Sequence, residues 1–162
     1  MKWLLVLLCG VSGVAAAAEP QILGLYEQIL LLPQPLLLEA KIDTGADTSS
    51  LNAQEMETYK KAGQRRVRFT ISGLNKQHEI ITVNYDQEII KTIIVKGAGG
   101  KDKRPVVALD ICIGGKPYHE LFTLRDRGNM QYPVLLGQKT LRQLGLIDVN
   151  QKYLLPARCA AE

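Results

Sequence analysis

Hydrophobic residues recur along the chain in many short runs that are separated by Gly, Pro and Asn. This spacing is typical of β-strands joined by turns, so the sequence predicts a mainly β domain, a barrel or a sandwich. The predicted strands are 25–32, 36–42, 67–71, 79–83, 89–95, 105–113, 118–124, 134–136, 147–149 and 153–155. Short helices are predicted at 53–62 and 139–144, because a glycine follows each segment.

The first 18 residues predict a secretory signal peptide. A basic start, an apolar run from Trp3 to Leu8 and three alanines at 16–18 precede Glu19, and this order is typical of a cleavable leader. The apolar stretch is shorter than the roughly 20 residues that a membrane-spanning helix needs, so a membrane anchor is the less favoured alternative. We expect one domain over 19–162, periplasmic or secreted, with no stable membrane insertion once the leader is removed.

Charge and cysteine content change this picture little. Removal of the leader leaves three more basic than acidic residues, the Lys and Arg residues are scattered, and aromatic residues are few. This composition predicts no nucleic-acid surface. Cys112 and Cys159 remain after the leader. In an exported chain, a disulfide between them and a buried thiol at Cys112 are both open alternatives.

The segment 36–48 contains the strongest candidate for chemistry. An apolar strand ends in Asp43, Thr44 and Gly45. Gly45 permits backbone geometry that a side chain would block, and Thr44 places a hydroxyl beside the acid. Aspartic proteolysis uses such an acid, because two adjacent carboxylates share one proton and one of them acts as general base on water. The segment therefore predicts Asp43 as a catalytic aspartate.

A second apolar strand ends at a glycine late in the chain and leads into a short helix. This order, after the earlier Asp-Thr-Gly, resembles the retroviral-type (retropepsin) proteases. The chain also resembles a bacterial retropepsin-like family labelled ATP-dependent zinc protease, in the segments 27–32, 40–51, 104–107, 126–127 and 132–137 and at Met130. The resemblance implies a retropepsin-like closed β-barrel with one or two short helices. It also implies an aspartic-type peptidase with an unknown peptide or protein substrate.

The same resemblance implies a substrate-binding site. The site comprises Ala46 and Asp47, which follow the catalytic segment, and the late Leu135, Leu136 and Gly137. It also includes a flap over 96–104 that contains Gly97, Gly99 and Gly100. An ordinary polar hairpin is the alternative reading of the flap. In the retroviral enzymes, the aspartate that matches Asp47 pairs with an arginine, whereas Gln138 stands at that place here. An amide brings no charge, so the support of this loop or of a dimer is in question.

The zinc and ATP of the family label find no support in these residues. A His-Glu-x-x-His zinc site needs a second histidine, which neither His78 nor His119 has at the required spacing. The glycine pairs before Lys101 and Lys116 do not complete a phosphate-binding loop. The sequence therefore predicts no metal and no cofactor.

A single Asp-Thr-Gly supplies half of a catalytic pair, so we expect a homodimer in which a two-fold axis brings two copies of Asp43 together. Asp110, Asp126 and Asp148 lack a following Thr-Gly or Ser-Gly and are expected to be turn or surface acids. The alternative function is a catalytically silent peptide-binding or scaffold module of the same fold. A metal-dependent hydrolase is disfavoured by the missing ligands.

Overall fold

The computed structural model describes residues 20–97, 100–128 and 131–159, so the predicted leader lies outside it. The described residues form twelve strands and one helix: β1 (Gln21–Gly24), β2 (Tyr26–Leu31), β3 (Leu36–Ile42), β4 (Ser49–Asn52), β5 (Gln54–Lys61), β6 (Gln64–Leu74), β7 (Ile80–Glu88), β8 (Lys91–Gly97), β9 (Gly100–Ile113), β10 (Lys116–Arg125), β11 (Val134–Leu136), α1 (Gln138–Leu144) and β12 (Gly145–Asp148). No helix in these ranges is long and apolar enough to cross a membrane.

Six strands close into a barrel in the order β11, β4, β10, β9, β2 and β3, because β3 pairs again with β11. The β10–β4 and β11–β3 pairs are parallel, and the other neighbours are antiparallel. The predicted closed β-barrel is therefore confirmed. Closure leaves no free sheet edge around this part of the molecule.

Alternating side chains explain why the barrel has a mainly apolar interior. In β3 every second residue from Leu36 to Ile42 is buried, and the residues between them are partly or fully exposed. This two-residue period sends one face of the strand into the core. The largest fully buried side chains are Phe69, Phe122, Leu23, Ile29, Leu31, Leu36, Leu38, Leu51, Ile71, Ile111, Ile113 and Leu124.

A three-stranded extension, β5–β6–β7, leaves the barrel where Leu37 pairs with Leu74. The helix predicted over 53–62 is wrong, because this segment forms β5 at the edge of the extension. Its Glu, Met and Lys residues favour a helix locally. However, seven of its eight residues are exposed, so a helix would have no apolar face to bury, whereas the strand gains a ladder with β6.

The C-terminal segment 151–159 runs across the outside of the barrel beside β1 and β2. The strand predicted at 153–155 is wrong, since this segment forms only scattered backbone hydrogen bonds, such as that from the Tyr153 N–H to the Tyr26 carbonyl. Glu27 is fully buried there and accepts hydrogen bonds from the Leu154 and Leu155 N–H groups. The disulfide alternative is the one observed, because Cys159 bonds to Cys112 of β9.

Candidate active site

Asp43 directly follows β3, at the point where the parallel strand β11 also ends. Its N–H donates to the Leu136 carbonyl over 2.9 Å, and its carbonyl accepts from the Ala46 N–H over 3.3 Å. Its carboxylate Oδ1 accepts from the Gly45 N–H over 3.1 Å. The buried strand and the turn after it thus hold a carboxylate at the barrel surface. Thr44 and Gly45 are exposed beside it.

The start of α1 packs directly against this turn. The Gln138 N–H donates to the Ala46 carbonyl over 2.8 Å, and the Lys139 N–H donates to the Asp47 carbonyl over 3.1 Å. A Cβ atom on Gly137 would lie 2.9 Å from the Ala46 oxygen and 2.7 Å from a neighbouring backbone carbon. Glycine is therefore required here for close approach, although its φ of −88° is open to any residue.

Two side chains resolve the question that Gln138 raised. Its Nε2 donates to the Thr44 carbonyl over 2.7 Å, so the amide supports the Asp43–Gly45 turn directly. The positive charge comes from the next residue, because Lys139 Nζ lies 2.7 Å from Asp47 Oδ2. The hydrogen bond from Lys139 lowers the pKa of Asp47 below its usual value. Within the subunit, Asp47 therefore has its charged partner at Lys139 and not at residue 138.

Four buried polar groups form a relay behind the turn. Thr140 Oγ1 donates to a carboxylate oxygen of Glu120 over 2.8 Å, and a carboxylate only accepts. The Thr140 hydroxyl proton is thus committed, so Ser49 Oγ must donate to Thr140 Oγ1, 2.8 Å away. Ser49 Oγ in turn accepts from the Gly137 N–H over 3.0 Å. The relay fixes Gly137, and through it the wall on which the Asp43 turn rests.

A cleft of about 400 Å³ lies in front of this wall. Its described lining is Asp43, Ala46, Asp47, Thr48, Ser50, Lys91, Ile93, Arg104, Thr123, Arg127 and Leu135. Four residues predicted for the site therefore meet there. Leu136 is fully buried in the core and contributes its carbonyl to Asp43 rather than a cleft surface.

The predicted flap corresponds to the hairpin of β8 and β9. Gly97 and Gly100 pair at its end, and Gly99 lies outside the described residues. The base of the hairpin borders the cleft through Lys91, Ile93 and Arg104.

Sequence reasoning missed the cations of the cleft. Lys91, Arg104 and Arg127 lie far apart in sequence and look like scattered solvated charges, but the fold gathers them around Asp43. Arg104 follows the glycines of the predicted flap, and both Arg104 and Arg127 belong to segments that carry the family resemblance. Those signals mark the two residues but do not place them in one cleft.

The other acids lie as expected outside the cleft. Asp110 contacts His119 over 2.6 Å on the exposed surface, Asp126 accepts from the Gly128 N–H, and Asp148 accepts from the Asn150 N–H. Each belongs to a turn or a surface pair. Among the described residues, no group of three or more His, Cys, Asp or Glu side chains is arranged to hold a metal ion.

The closed barrel and the Asp-Thr-Gly turn against a Leu-Leu-Gly wall define a protein with the fold of retropepsin-type aspartic proteases. A model of the RimB-like family, described as retropepsin-like aspartic endopeptidase RimB, matches residues 22–158, and the chain belongs to this family. A solved structure similar to it is that of the protein Lpg0085, of unknown function, from Legionella pneumophila. The two share 30% identity at a TM-score of 0.67, over 82% of this chain and 96% of that one.

Curated relatives bear a different name. A probable alpha-L-glutamate ligase from Shewanella pealeana is 29% identical over 119 residues, which are 73% of this chain and 26% of the relative. A protein of the same name from Desulfotalea psychrophila is 27% identical over 68% of this chain and 24% of the relative. The chain thus spans about a quarter of the length of the curated relatives it matches.

Proposed function

We propose that this chain is an aspartic-type endopeptidase whose two catalytic carboxylates are Asp43 from each subunit of a homodimer. The observation that carries the proposal is the state of the acids in the cleft. Asp47 is the only other acid among the described lining residues, and Lys139 engages it. Asp43 therefore needs a partner acid from outside its own cleft lining. A two-fold axis supplies one without any further residue, because it brings Asp43 of a second subunit to the first.

The chemistry follows from two carboxylates that share one proton. The ionised carboxylate takes a proton from a water molecule, whose oxygen attacks the scissile carbonyl carbon, while the protonated carboxylate donates to the carbonyl oxygen. Collapse of the tetrahedral intermediate breaks the C–N bond, and the leaving nitrogen takes a proton from the pair. The hydrogen bonds to Leu136 and Gly45 would keep each Asp43 in place throughout.

Asp43→Asn tests this mechanism, because the amide has nearly the same shape and cannot act as the base. We expect hydrolysis of a peptide library to fall by at least a thousandfold, with the wild-type rate bell-shaped in pH. Asp110→Asn is the matched control, since Asp110 is an exposed acid paired with His119, and it should retain the wild-type rate. Undiminished cleavage by Asp43→Asn would refute the proposal.

Sedimentation of the wild type tests the dimer in the same buffers, and a monomer that cleaves peptides would exclude the two-fold pair.

Assays with a chelator test the expectation that hydrolysis needs no metal. If the wild type binds peptides but cleaves none, the silent peptide-binding module becomes the better interpretation.

We further propose that the protein works in the periplasm or outside the cell. The leader pattern at 1–18 and the disulfide between Cys112 and Cys159 support this location, because disulfides persist in oxidising compartments. N-terminal sequencing of the protein from its native source should begin near Glu19. Retention of residues 1–18 would point to an anchor instead.

We propose acidic peptides, and glutamate-containing ones in particular, as the substrate class. Lys91, Arg104 and Arg127 give the cleft a positive lining, which attracts anionic substrates. The relatives that contain a region similar to this chain are named for a ligase of alpha-L-glutamate. Peptides with glutamate near the scissile bond should be cleaved faster than their glutamine counterparts, and the advantage should shrink as salt is added.

A further inference from the structure

The C-terminal segment 151–159, which we call the strap, is bonded to the chain beside Asp43. The Leu25 N–H donates to the Gln151 carbonyl of the strap over 2.8 Å. The Leu25 carbonyl in turn accepts from the Ile42 N–H over 3.1 Å, and Ile42 directly precedes Asp43. A single residue therefore links the strap to the end of β3, where the Asp43 turn begins.

Glu27 attaches the strap from inside. This residue is fully buried and takes no part in the proposed chemistry. Its Oε1 accepts from the Gly24 N–H over 2.6 Å and from the Leu154 N–H over 3.1 Å, and its Oε2 accepts from the Leu155 N–H over 3.1 Å. A buried carboxylate is costly unless hydrogen-bond donors satisfy it. Glu27 therefore ties the strap to the residue that precedes Leu25.

The far end of the strap is attached covalently. Cys159 bonds to Cys112 of β9, and the Pro156 carbonyl accepts from the Gly114 N–H over 2.9 Å. Cys112 is fully buried, whereas Cys159 is half-buried. Residues 151–154 are all exposed. The strap therefore depends on its hydrogen bonds and on the disulfide more than on burial of its own side chains.

We infer that the disulfide is a redox switch for the candidate site, because the strap holds the Asp43 turn in place only when Cys112 and Cys159 are joined. The inference rests on the proposed function and the proposed export, and it adds how the same site is regulated. Without the disulfide, the far end of the strap is free. The strap then opens more often, and the Leu25 N–H loses its acceptor.

Formation of the disulfide is a balanced two-electron exchange. The two cysteine thiols lose two electrons and two protons to a disulfide oxidant, which becomes a dithiol, and the Cys112–Cys159 bond forms. Oxidising compartments allow this reaction, whereas reducing ones keep thiols reduced. The chain therefore stays inactive before export and becomes active after it.

Peptide cleavage by the wild type, oxidised or reduced with a dithiol, tests the switch at a temperature where circular dichroism shows both forms to be folded. We expect kcat/KM to fall at least tenfold on reduction and to recover on reoxidation. Cys159→Ser should have the reduced rate with or without the dithiol. Undiminished cleavage by the folded, reduced protein would overturn the inference.

Two substitutions of glutamates separate the strap from the disulfide itself. Glu27→Gln leaves the disulfide intact but sets an NH2 donor against a backbone N–H that needs an acceptor, so it should loosen the strap and lower kcat/KM. Glu39→Gln is the matched control, because Glu39 is exposed and accepts from the Tyr153 hydroxyl of the strap over 3.2 Å. An amide oxygen can also accept this bond, so Glu39→Gln should keep the wild-type rate. A wild-type rate in Glu27→Gln would contradict the role of the strap.

Amide hydrogen exchange, followed by NMR, provides a readout that needs no catalysis. The Leu25 and Ile42 amides should exchange at least tenfold faster after reduction, while amides in the β6–β7 ladder keep their rates. This pattern in a protein that cleaves no peptide supports the switch, and only the proposed function then fails. Equal protection of both amides in the two redox states overturns the inference, as does an equal loss of protection throughout the fold.

Discussion

The buried hydrogen-bonded chain of Glu120, Thr140, Ser49 and Gly137 behind the Asp43 turn tests how the candidate site is supported. Thr140 and Ser49 are each 1% exposed, and Glu120 is 4% exposed. Thr140→Val replaces the hydroxyl by a methyl group of similar size. The Ser49 hydroxyl then loses its acceptor, and a Glu120 oxygen loses one donor. Each of these two buried groups costs about 1–3 kcal/mol when it loses its partner, so we expect about 2–6 kcal/mol of destabilisation.

The chain contains a matched control for this change. Thr82 Oγ1 lies 2.8 Å from Ser72 Oγ in an exposed cross-strand pair, the same distance as between Thr140 and Ser49 in the core. Water replaces the lost partner at the surface, and valine suits a strand. Thr82→Val should therefore change the free energy of unfolding by no more than about 0.5 kcal/mol.

Urea denaturation of both variants and the wild type, with the disulfide intact and at one subunit concentration, measures the difference. The peptidase rate should fall in Thr140→Val alone, since Gly137 loses its fixed support. Equal destabilisation by the two substitutions would refute the reasoning, because burial would then not determine the cost. A stable Thr140→Val protein with wild-type activity would show that the relay does not support the site.

Two further predictions concern stability. Burial raises the pKa of Tyr85 to about 12, and its hydroxyl has no hydrogen-bond partner within the described residues. Tyr85→Phe should therefore raise the free energy of unfolding by about 1 kcal/mol near neutral pH. The wild type should lose stability between the ordinary tyrosine pKa of about 10 and a pH near 12, because the folded state disfavours the phenolate, and Tyr85→Phe should lack this part of the loss. A denaturation series from neutral to alkaline pH measures both effects, and a less stable variant would contradict them. Cys159→Ser should lower the free energy of unfolding by about 4 kcal/mol, since the disulfide joins residues 47 apart in sequence. A reductant should destabilise the wild type but not this variant. Equal urea midpoints for the variant and the oxidised wild type would contradict the estimate.

The hydrophobic pattern predicted a mainly β domain because the strands alternate or are short and apolar, and the family resemblance implied that the sheet closes into a barrel. The bounds 36–42 and 134–136 agree with β3 and β11, whose side chains fill the core. The helix predicted over 53–62 was wrong for a physical reason. It has no buried face, so its structure depends on pairing with β6, which no local pattern records. The strand predicted at 153–155 was wrong for a similar reason, because the hydrogen bonds of this segment go to partners distant in sequence.

The candidate site was predictable only in part. Residues 43–47 and Leu135 belong to local motifs, and all except the exposed Thr44 and Gly45 line the cleft. The sequence did not predict that Lys139, rather than the residue at position 138, would supply the cation beside Asp47. A resemblance aligns Gln138 with an arginine, but the next residue of α1, Lys139, has a side chain long enough to reach Asp47 instead. The charge moved by one residue, and only the geometry of the helix start reveals it.

The proposed two-fold arrangement has a consequence for the substrate that neither half of the site shows alone. A symmetric dimer places one Arg127 on each side of the paired Asp43 carboxylates, whereas a peptide has a direction. The two copies of Arg127 would therefore lie toward opposite sides of the scissile bond, at equal distances from the two-fold axis, and would face different residues of the peptide. A pair of carboxylates with one shared proton holds one negative charge, so two Arg127 cations leave the cleft positive until a peptide fills it. A substrate with glutamates on both sides of the cleaved bond would therefore complement the positive lining of both halves of the cleft. Glutamate on one side should thus give part of the preference, and glutamate on both sides should give more than either alone.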